Sequence, residues 1–213
     1  MKLYEFNAAP NARRVSMFIA EKGLDIPRVE INLGERAQMS DEYAKVNFFR
    51  QIPALELDDG MVLTESSAIC LYLERLHPEP CLMGVTPLEQ AQILMWDRRM
   101  EQTGQMPVAD AFRNSSPFFQ GRAMSGPDDF EQIPALAERG RIRAERFFER
   151  LDGFLADRPF VAGESFSVAD ITGFVAVDFA RVIKLRPGPE LVNLTRWYED
   201  IGSRPSAVTT SAR

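Results

Sequence analysis

A chain of 213 residues, 45% of them hydrophobic, is long enough to bury one large or two modest cores. Its net charge of −6 provides no positive field for nucleic acid or for an anionic membrane surface, so neither is expected as a partner. Met1-Lys2-Leu3-Tyr4-Glu5-Phe6 lacks the apolar run of a secretory leader, and no later run reaches the length of a bilayer span. A cytoplasmic location is therefore expected, and two cysteines without CxxC spacing, Cys70 and Cys81, suit a reducing compartment.

In chain order, residues 2–6 read as a strand. Asn7-Ala8-Ala9-Pro10-Asn11 is a turn, and 12–22 form a helix that Gly23 stops. Residues 28–33 alternate polar and apolar as a half-buried strand does, and Ser40-Asp41-Glu42-Tyr43 marks the next helix start. Residues 54–57 and 61–63, joined by Asp58-Asp59-Gly60, make a hairpin. The helix at 66–76 then places Ile69, Leu73 and Leu76 on one face. This order, β-α-β-α-β-β-α, resembles a thioredoxin-like domain, expected over 1–79. His77-Pro78-Glu79-Pro80 ends it, and 80–86 read as a linker.

From 87 to 213 strand signals vanish, and helices are expected over 88–112, 131–156, 167–183 and 191–201, with one long loop over 114–129. The fold class is thus α+β, a thioredoxin-like domain followed by an all-helical one. Ser167 and Asp170 form a capping box, with Phe166 set to staple Ile171; this is a folding signal. Arg139, Arg141, Arg143, Arg146 and Arg150 alternate with Glu138, Glu145 and Glu149, as a solvated helix face does. Trp96, Met100, Phe112, Phe118, Phe119 and Phe179 are read either as core or as the lining of an apolar pocket. Cys70, inside an apolar run, is core, and His77 is a cation near helix-end carbonyls. A single histidine excludes multi-histidine metal sites, so no metal is expected.

The candidate ligand site lies in the first half. Pro53 has a fixed φ and no N–H, and it pushes Ile52 into an extended conformation whose N–H and C=O are available to an extended ligand. Glu65 offers a carboxylate to an ammonium group, while Ser66 and the first N–H groups of the following helix offer donors to a carboxylate. Together they suit an amino-acid head group. An ordinary turn before an ordinary helix start is the plainer reading of the same residues.

Gln51-Ile52-Pro53-Ala54-Leu55 followed by Glu65-Ser66-Ser67-Ala68-Ile69 resembles the glutathione-binding half of the glutathione S-transferase superfamily, and the likeness runs over nearly the whole chain. The resemblance implies a cis Pro53, Ile52 pairing with the cysteinyl backbone of glutathione, and Glu65 and Ser66 holding its γ-glutamyl end. It also implies that Gln51 touches glutathione and that Arg36 and Gln38 lie where the family binds the glycyl carboxylate, although the family's usual His-Lys is missing. Glutathione as co-substrate, an apolar electrophile or a disulfide as second substrate, and a homodimer through the helix carrying Leu88, Ala91 and Met95 follow from the same resemblance.

Conjugation requires a thiol of ordinary pKa near 8.5 to be ionised at neutral pH, so a donor must face the sulfur. Where several classes carry a serine, threonine or cysteine, this chain has Ala8 and Ala9. Tyr4 lies one residue from the position of the vertebrate classes' tyrosine, and a one-residue slip turns a strand side chain to the opposite face. Asn11, in a Pro-Asn pair resembling the bacterial disulfide-reducing and fungal prion-related members, is the catalytic candidate, its amide N–H donating to sulfur. Capping the first helix is the alternative role. Arg14, in the same helix, is expected to be structural. Three functions stay open: a glutathione-dependent transferase or disulfide reductase, a non-catalytic glutathione or hydrophobic-ligand binder, and a protein-interaction module on this fold.

Overall fold

The computed structural model describes residues 1–210. The chain divides into two compact units. The first runs from Met1 to Pro80 and also takes in Ser125–Asp128 and the described residues from Pro205 to Thr210. The second comprises Cys81–Met124 and Asp129–Arg204.

In the first unit the elements are β1 (Lys2–Glu5), α1 (Pro10–Glu21), β2 (Arg28–Glu30), α2 (Asp41–Val46), β3 (Ala54–Glu56), β4 (Val62–Thr64) and α3 (Ser66–Leu76). The four strands form one sheet in the order β2-β1-β3-β4. β1 and β2 are parallel, which demands a crossover, and α1 supplies it; the other two pairings are antiparallel. Leu3 and Leu55 face each other in the middle of the sheet, both fully buried. This is the thioredoxin-like order that the sequence implied.

Local chemistry sets the boundaries. Pro10 at the first turn of α1 is preorganised for helix and has no N–H to leave unpaired, so α1 begins two residues before Ala12. β2 stops at Glu30, short of the expected 33. Ile31 N–H still bonds the Glu5 carbonyl at 2.8 Å, but Asn32 Oδ1 then accepts Gly34 N–H at 2.9 Å and turns the chain away. On α3, Ile69 and Leu73 are fully buried while Leu76, placed on the same face by periodicity, is 48% exposed as the last residue of the helix. Cys70 is buried beside them.

The buried Lys22 joins α1 to the end of α3. Its ammonium donates to the His77 and Pro80 carbonyls at 2.8 and 2.6 Å and pairs with Glu74 at 2.5 Å. The cation at the α3 C-terminus is therefore Lys22, and the exposed His77 contributes its carbonyl.

The second unit holds α4 (Pro87–Met100), a π-helical turn (Glu101–Gln105), α5 (Met106–Ser115), α6 (Pro134–Phe154), α7 (Val168–Phe179) and α8 (Val192–Gly202). α7 is its central element, buried at every position from Val168 to Asp178. At Gly173 a Cβ would come within 3.1 Å of Met100 and 3.2 Å of Trp197. Asp170 accepts from Ser167 N–H at 3.0 Å, Val161 N–H at 2.8 Å and Trp197 Nε1 at 3.0 Å, so the capping box also ties α7 to α8. The long helix expected over 88–112 is divided by the π turn, which ends two residues before Pro107. A proline ring there would meet the Thr103 carbonyl of a regular α-helix. Arg141 and Glu145 pair at 3.2 Å on an exposed face of α6, as their spacing implied. A further helix, α9 (Pro205–Thr209), which the periodicity did not reveal, belongs to the first unit. There Ser206 Oγ donates to Glu21 at 2.5 Å and Arg13 donates to the Ala207 carbonyl at 3.5 Å. Among the described residues no helix is long and apolar enough to cross a membrane.

Candidate active site

The ends of β1, β3 and β4 deliver three chain turns to one part of the first unit. The turn after β1 leads into α1 at Ala9, Pro10 and Asn11. The helix N-cap is Ala9, whose side chain makes no capping bond, and Asn11 lies two residues inside. The capping role considered for Asn11 is therefore not the one it has, because Pro10 occupies the first helical position and moves the cap back to Ala9. Asn11 is exposed, and its Oδ1 accepts from Arg14 at 3.4 Å. That bond turns the amide so that its NH₂ end lies away from the guanidinium.

The turn after β4 reaches α3 through Glu65, which caps the helix at φ 68, a backbone region that non-glycine residues enter only at a cost of order 1–3 kcal/mol. Glu65 is exposed and Ser66 is 6% exposed. Ser66 Oγ donates to the Asn11 carbonyl at 3.0 Å, so two of the sequence-predicted residues, 55 positions apart, are in direct contact.

The third turn precedes β3. The Ile52–Pro53 bond is cis, as the resemblance implied, and a second cis bond occurs at Glu79–Pro80. The Gln51 carbonyl accepts from Tyr43 Oη and Asn47 Nδ2, both at 2.7 Å. The Gln51 side chain donates to the carbonyl and hydroxyl of Ser125, each at 3.2 Å. Tyr43, Asn47 and Ser125 were not singled out from the sequence. An Asn four residues before a Gln-Ile-Pro turn was the available signal for Asn47, since Asn side chains bond nearby backbone in turns. Arg36, exposed in a left-handed conformation at φ 59, precedes the 3₁₀ turn Ala37–Met39 that carries Gln38.

Tyr4 points into the cluster formed by Tyr43, Ile52 and Ala54, and its ring meets the Tyr43 ring edge-on at 5.9 Å. Its hydroxyl donates to Glu56 at 2.7 Å. Burial, together with that bond, holds the phenol above its ordinary pKa, so it stays protonated with its hydrogen committed to Glu56. The adjacent Glu5 is buried on the other face, where it takes a hydrogen bond from Ser16 and pairs with Arg28 at 2.5 Å.

The family description "Glutathione S-transferase, N-terminal domain" matches residues 3–81, and "Glutathione S-transferase, C-terminal domain" matches residues 134–200. The chain belongs to the glutathione S-transferase family. The transferase is 35% identical to Glutathione S-transferase 2 of Saccharomyces cerevisiae over 97% of its own length and 87% of that protein's. It is 27% identical to the Disulfide-bond oxidoreductase YfcG of Escherichia coli, over 94% of the chain and 90% of the relative. The solved structure of Gtt2 from Saccharomyces cerevisiae superposes with a TM-score of 0.91 at 33% identity, covering 99% of this chain and all of the other. Family membership makes glutathione the co-substrate of the transferase and turns attention to how its first unit would hold a tripeptide.

The second-unit aromatics separate into two groups. Trp96 and Met100 are core, at 8% and 2% exposure. Phe112, Phe119 and Phe179 pack edge to edge, with Phe118, 47% exposed, at their margin. Arg113 donates to the carbonyls of Ala123, Arg122 and Met124 and lies 4.3 Å above the Phe119 ring. Burial and the neighbouring Arg122 bring it down to about 10, still protonated at neutral pH. It is the anchor of the loop that follows α5.

Proposed function

We propose that glutathione lies along the first unit with its cysteinyl backbone paired to Ile52 beside cis Pro53, its γ-glutamyl end at Glu65 and Ser66, and its glycyl carboxylate toward Arg36 and Gln38. The Ser66–Asn11 contact supports this reading most directly. It joins the residue pair suited to an amino-acid head group to the helix start suited to a thiolate. The sulfur then lies near Asn11 and the first-turn N–H groups of α1. Residues 1–79 act as the glutathione-binding domain and 87–213 as the substrate-binding domain.

An amide is a weaker stabiliser of a thiolate than a fixed hydroxyl, so conjugation of an apolar electrophile is slow and thiol-disulfide exchange is favoured. The name of the relative YfcG points the same way. Calorimetric titration with glutathione, followed by turnover of a chloro-nitroaromatic acceptor and of a small disulfide, tests the reading. Absence of glutathione binding overturns it, and binding without either turnover favours the non-catalytic alternative.

The enzyme works as a cytoplasmic homodimer. Leu88, Ala91, Leu94 and Met95 are exposed along α4, an apolar seam apart from the Trp96 and Met100 that the helix buries. Phe48 and Phe49, 77% and 60% exposed on the first unit, are the apolar surface that a second copy would bring against it.

A further inference from the structure

The peptide unit between Gln51 and Ile52 is held in a way that loop satisfaction alone does not require. A buried carbonyl needs one donor to recover its lost hydration; this one has two dedicated side chains, the Tyr43 hydroxyl and the Asn47 amide, each at 2.7 Å, which fill both of its lone pairs. The donors are themselves fixed. Tyr43 and Asn47 are 3% and 4% exposed. The Tyr43 ring rests edge-on against Tyr4, and its backbone N–H is taken by Ser40 Oγ at 3.1 Å. Asn47 Oδ1 accepts Phe49 N–H at 3.0 Å, which sets which end of the amide faces Gln51. Its own N–H reaches the Tyr43 carbonyl at 2.9 Å, and its carbonyl receives Arg50 N–H at 2.8 Å.

The peptide bond is planar, with its C=O and N–H pointing in opposite directions. A clamp on the Gln51 oxygen therefore sets the direction of the Ile52 N–H on the far edge of the same plane. Among the described residues, Ile52 N–H has no protein acceptor and the Ile52 carbonyl has no protein donor. The molecule thus fixes one edge of a peptide unit with two buried side chains and leaves the other edge unspent.

We propose that Tyr43 and Asn47 are positioning residues for the co-substrate: by holding the Gln51 carbonyl they aim the Ile52 N–H at the cysteinyl carbonyl of glutathione. This rests on the glutathione reading given above. Neither side chain touches the ligand. Their contribution is preorganisation, sparing the turn the loss of freedom that would otherwise accompany binding. Removing one of the two donors leaves the carbonyl satisfied by the other, so the fold tolerates the loss while the aim of the N–H loosens.

The test uses three ligands: glutathione, γ-glutamylcysteinamide, which keeps the cysteinyl carbonyl without the glycine, and γ-glutamylcysteamine, which lacks that carbonyl. Wild type, Tyr43→Phe and Asn47→Ala are titrated with each. Loss of one such hydrogen bond predicts about fivefold weaker binding of the first two ligands by Tyr43→Phe and unchanged binding of γ-glutamylcysteamine. A merely structural role for Tyr43 weakens all three ligands equally. Equal losses, or no loss with any ligand, overturn the inference. Tyr43→Phe removes a single oxygen and carries the test if Asn47→Ala does not fold. Wild type failing to bind glutathione overturns the glutathione reading itself, and that result appears before any variant is compared.

Discussion

Ser66 Oγ donates to the carbonyl of Asn11, so the start of α3 and the start of α1 are joined by a single hydrogen bond. The hydroxyl is occupied as a donor in that bond, so toward a ligand it can only accept, as from the γ-glutamyl ammonium, and the α-carboxylate falls to the first N–H groups of α3. Ser66→Ala is expected both to weaken glutathione and to displace the helix start on which the sulfur would rest. The loss should therefore appear in kcat as well as KM, where a residue that only gripped the γ-glutamyl end would raise KM alone. Steady-state kinetics of the variant with a disulfide acceptor checks it.

Glu65 offers an exposed carboxylate where the glutathione ammonium is proposed to sit. Glu65→Ala should weaken glutathione by about tenfold or more, the usual scale for a hydrogen bond between charged groups. Unchanged calorimetric affinity would remove the assignment. The left-handed backbone at Glu65 makes Glu65→Gly a useful companion, since glycine relieves the conformation while still deleting the carboxylate.

For the thiolate, Asn11→Ala should raise the apparent pKa of the bound thiol by about 0.5 to 1, the equivalent of one modest hydrogen bond. Tyr4→Phe should leave it unchanged, because the phenol already donates to Glu56. Ultraviolet titration of bound glutathione separates the two variants. The reverse pattern would make the tyrosine the catalytic group.

Replacing Leu88 and Met95 together by glutamate puts two charges on the proposed seam of α4. Light scattering at micromolar concentration should show a dimer for wild type and a monomer for the double variant. A monomeric wild type would contradict the assembly.

Asp170 gives a pH signature. Complete burial pushes its carboxyl up to about 6 against the pull of its N–H donors. A carboxyl raised in the folded state stabilises the fold below its unfolded pKa of about 4, and that contribution is lost as pH rises through the folded value. Asp170→Asn cannot titrate. Its stability deficit relative to wild type should therefore be about 2 kcal/mol larger at pH 4.5 than at pH 7 in urea unfolding. A deficit that grows toward neutral pH would reverse the sign of the assignment.

Much of the first unit was legible because its signals are local. Pro53, the Asp58-Asp59-Gly60 turn and the Ser40 cap each dictate backbone shape within a few residues, and those elements fall where their sequence places them. What escaped depends on partners far along the chain. The contact of Ser66 with Asn11 spans 55 positions, and that of Gln51 with Ser125 spans 74. The short α9 is held by Arg13 and Glu21 from the opposite end of the sequence and has too few residues for a period to appear. Tyr43 entered only as part of the Ser40-Asp41-Glu42-Tyr43 helix-start signal, since nothing local reveals where a phenol hydrogen will point. The Asn11 cap is a different kind of miss: Pro10 was sufficient to move the cap to Ala9.

The π turn at Glu101–Gln105 makes α4 and α5 one rod with a phase slip in it. A single extra residue within a helix rotates everything beyond it by about 100°. The stripe that α4 buries and the stripe that α5 buries are thus offset, and one heptad pattern cannot describe both. Two close approaches to α6 also occur at or beside the slip, and each requires a glycine. Gly104 lies where a Cβ would fall 2.6 Å from the Phe147 ring, and Gly140 where it would fall 2.6 Å from the Pro107 carbonyl. Excising one residue from 101–105 would restore a uniform pitch and turn α5 out of its seat against α6. The tight spot at Gly104 and the proline that follows are therefore accommodated by one irregularity in the rod.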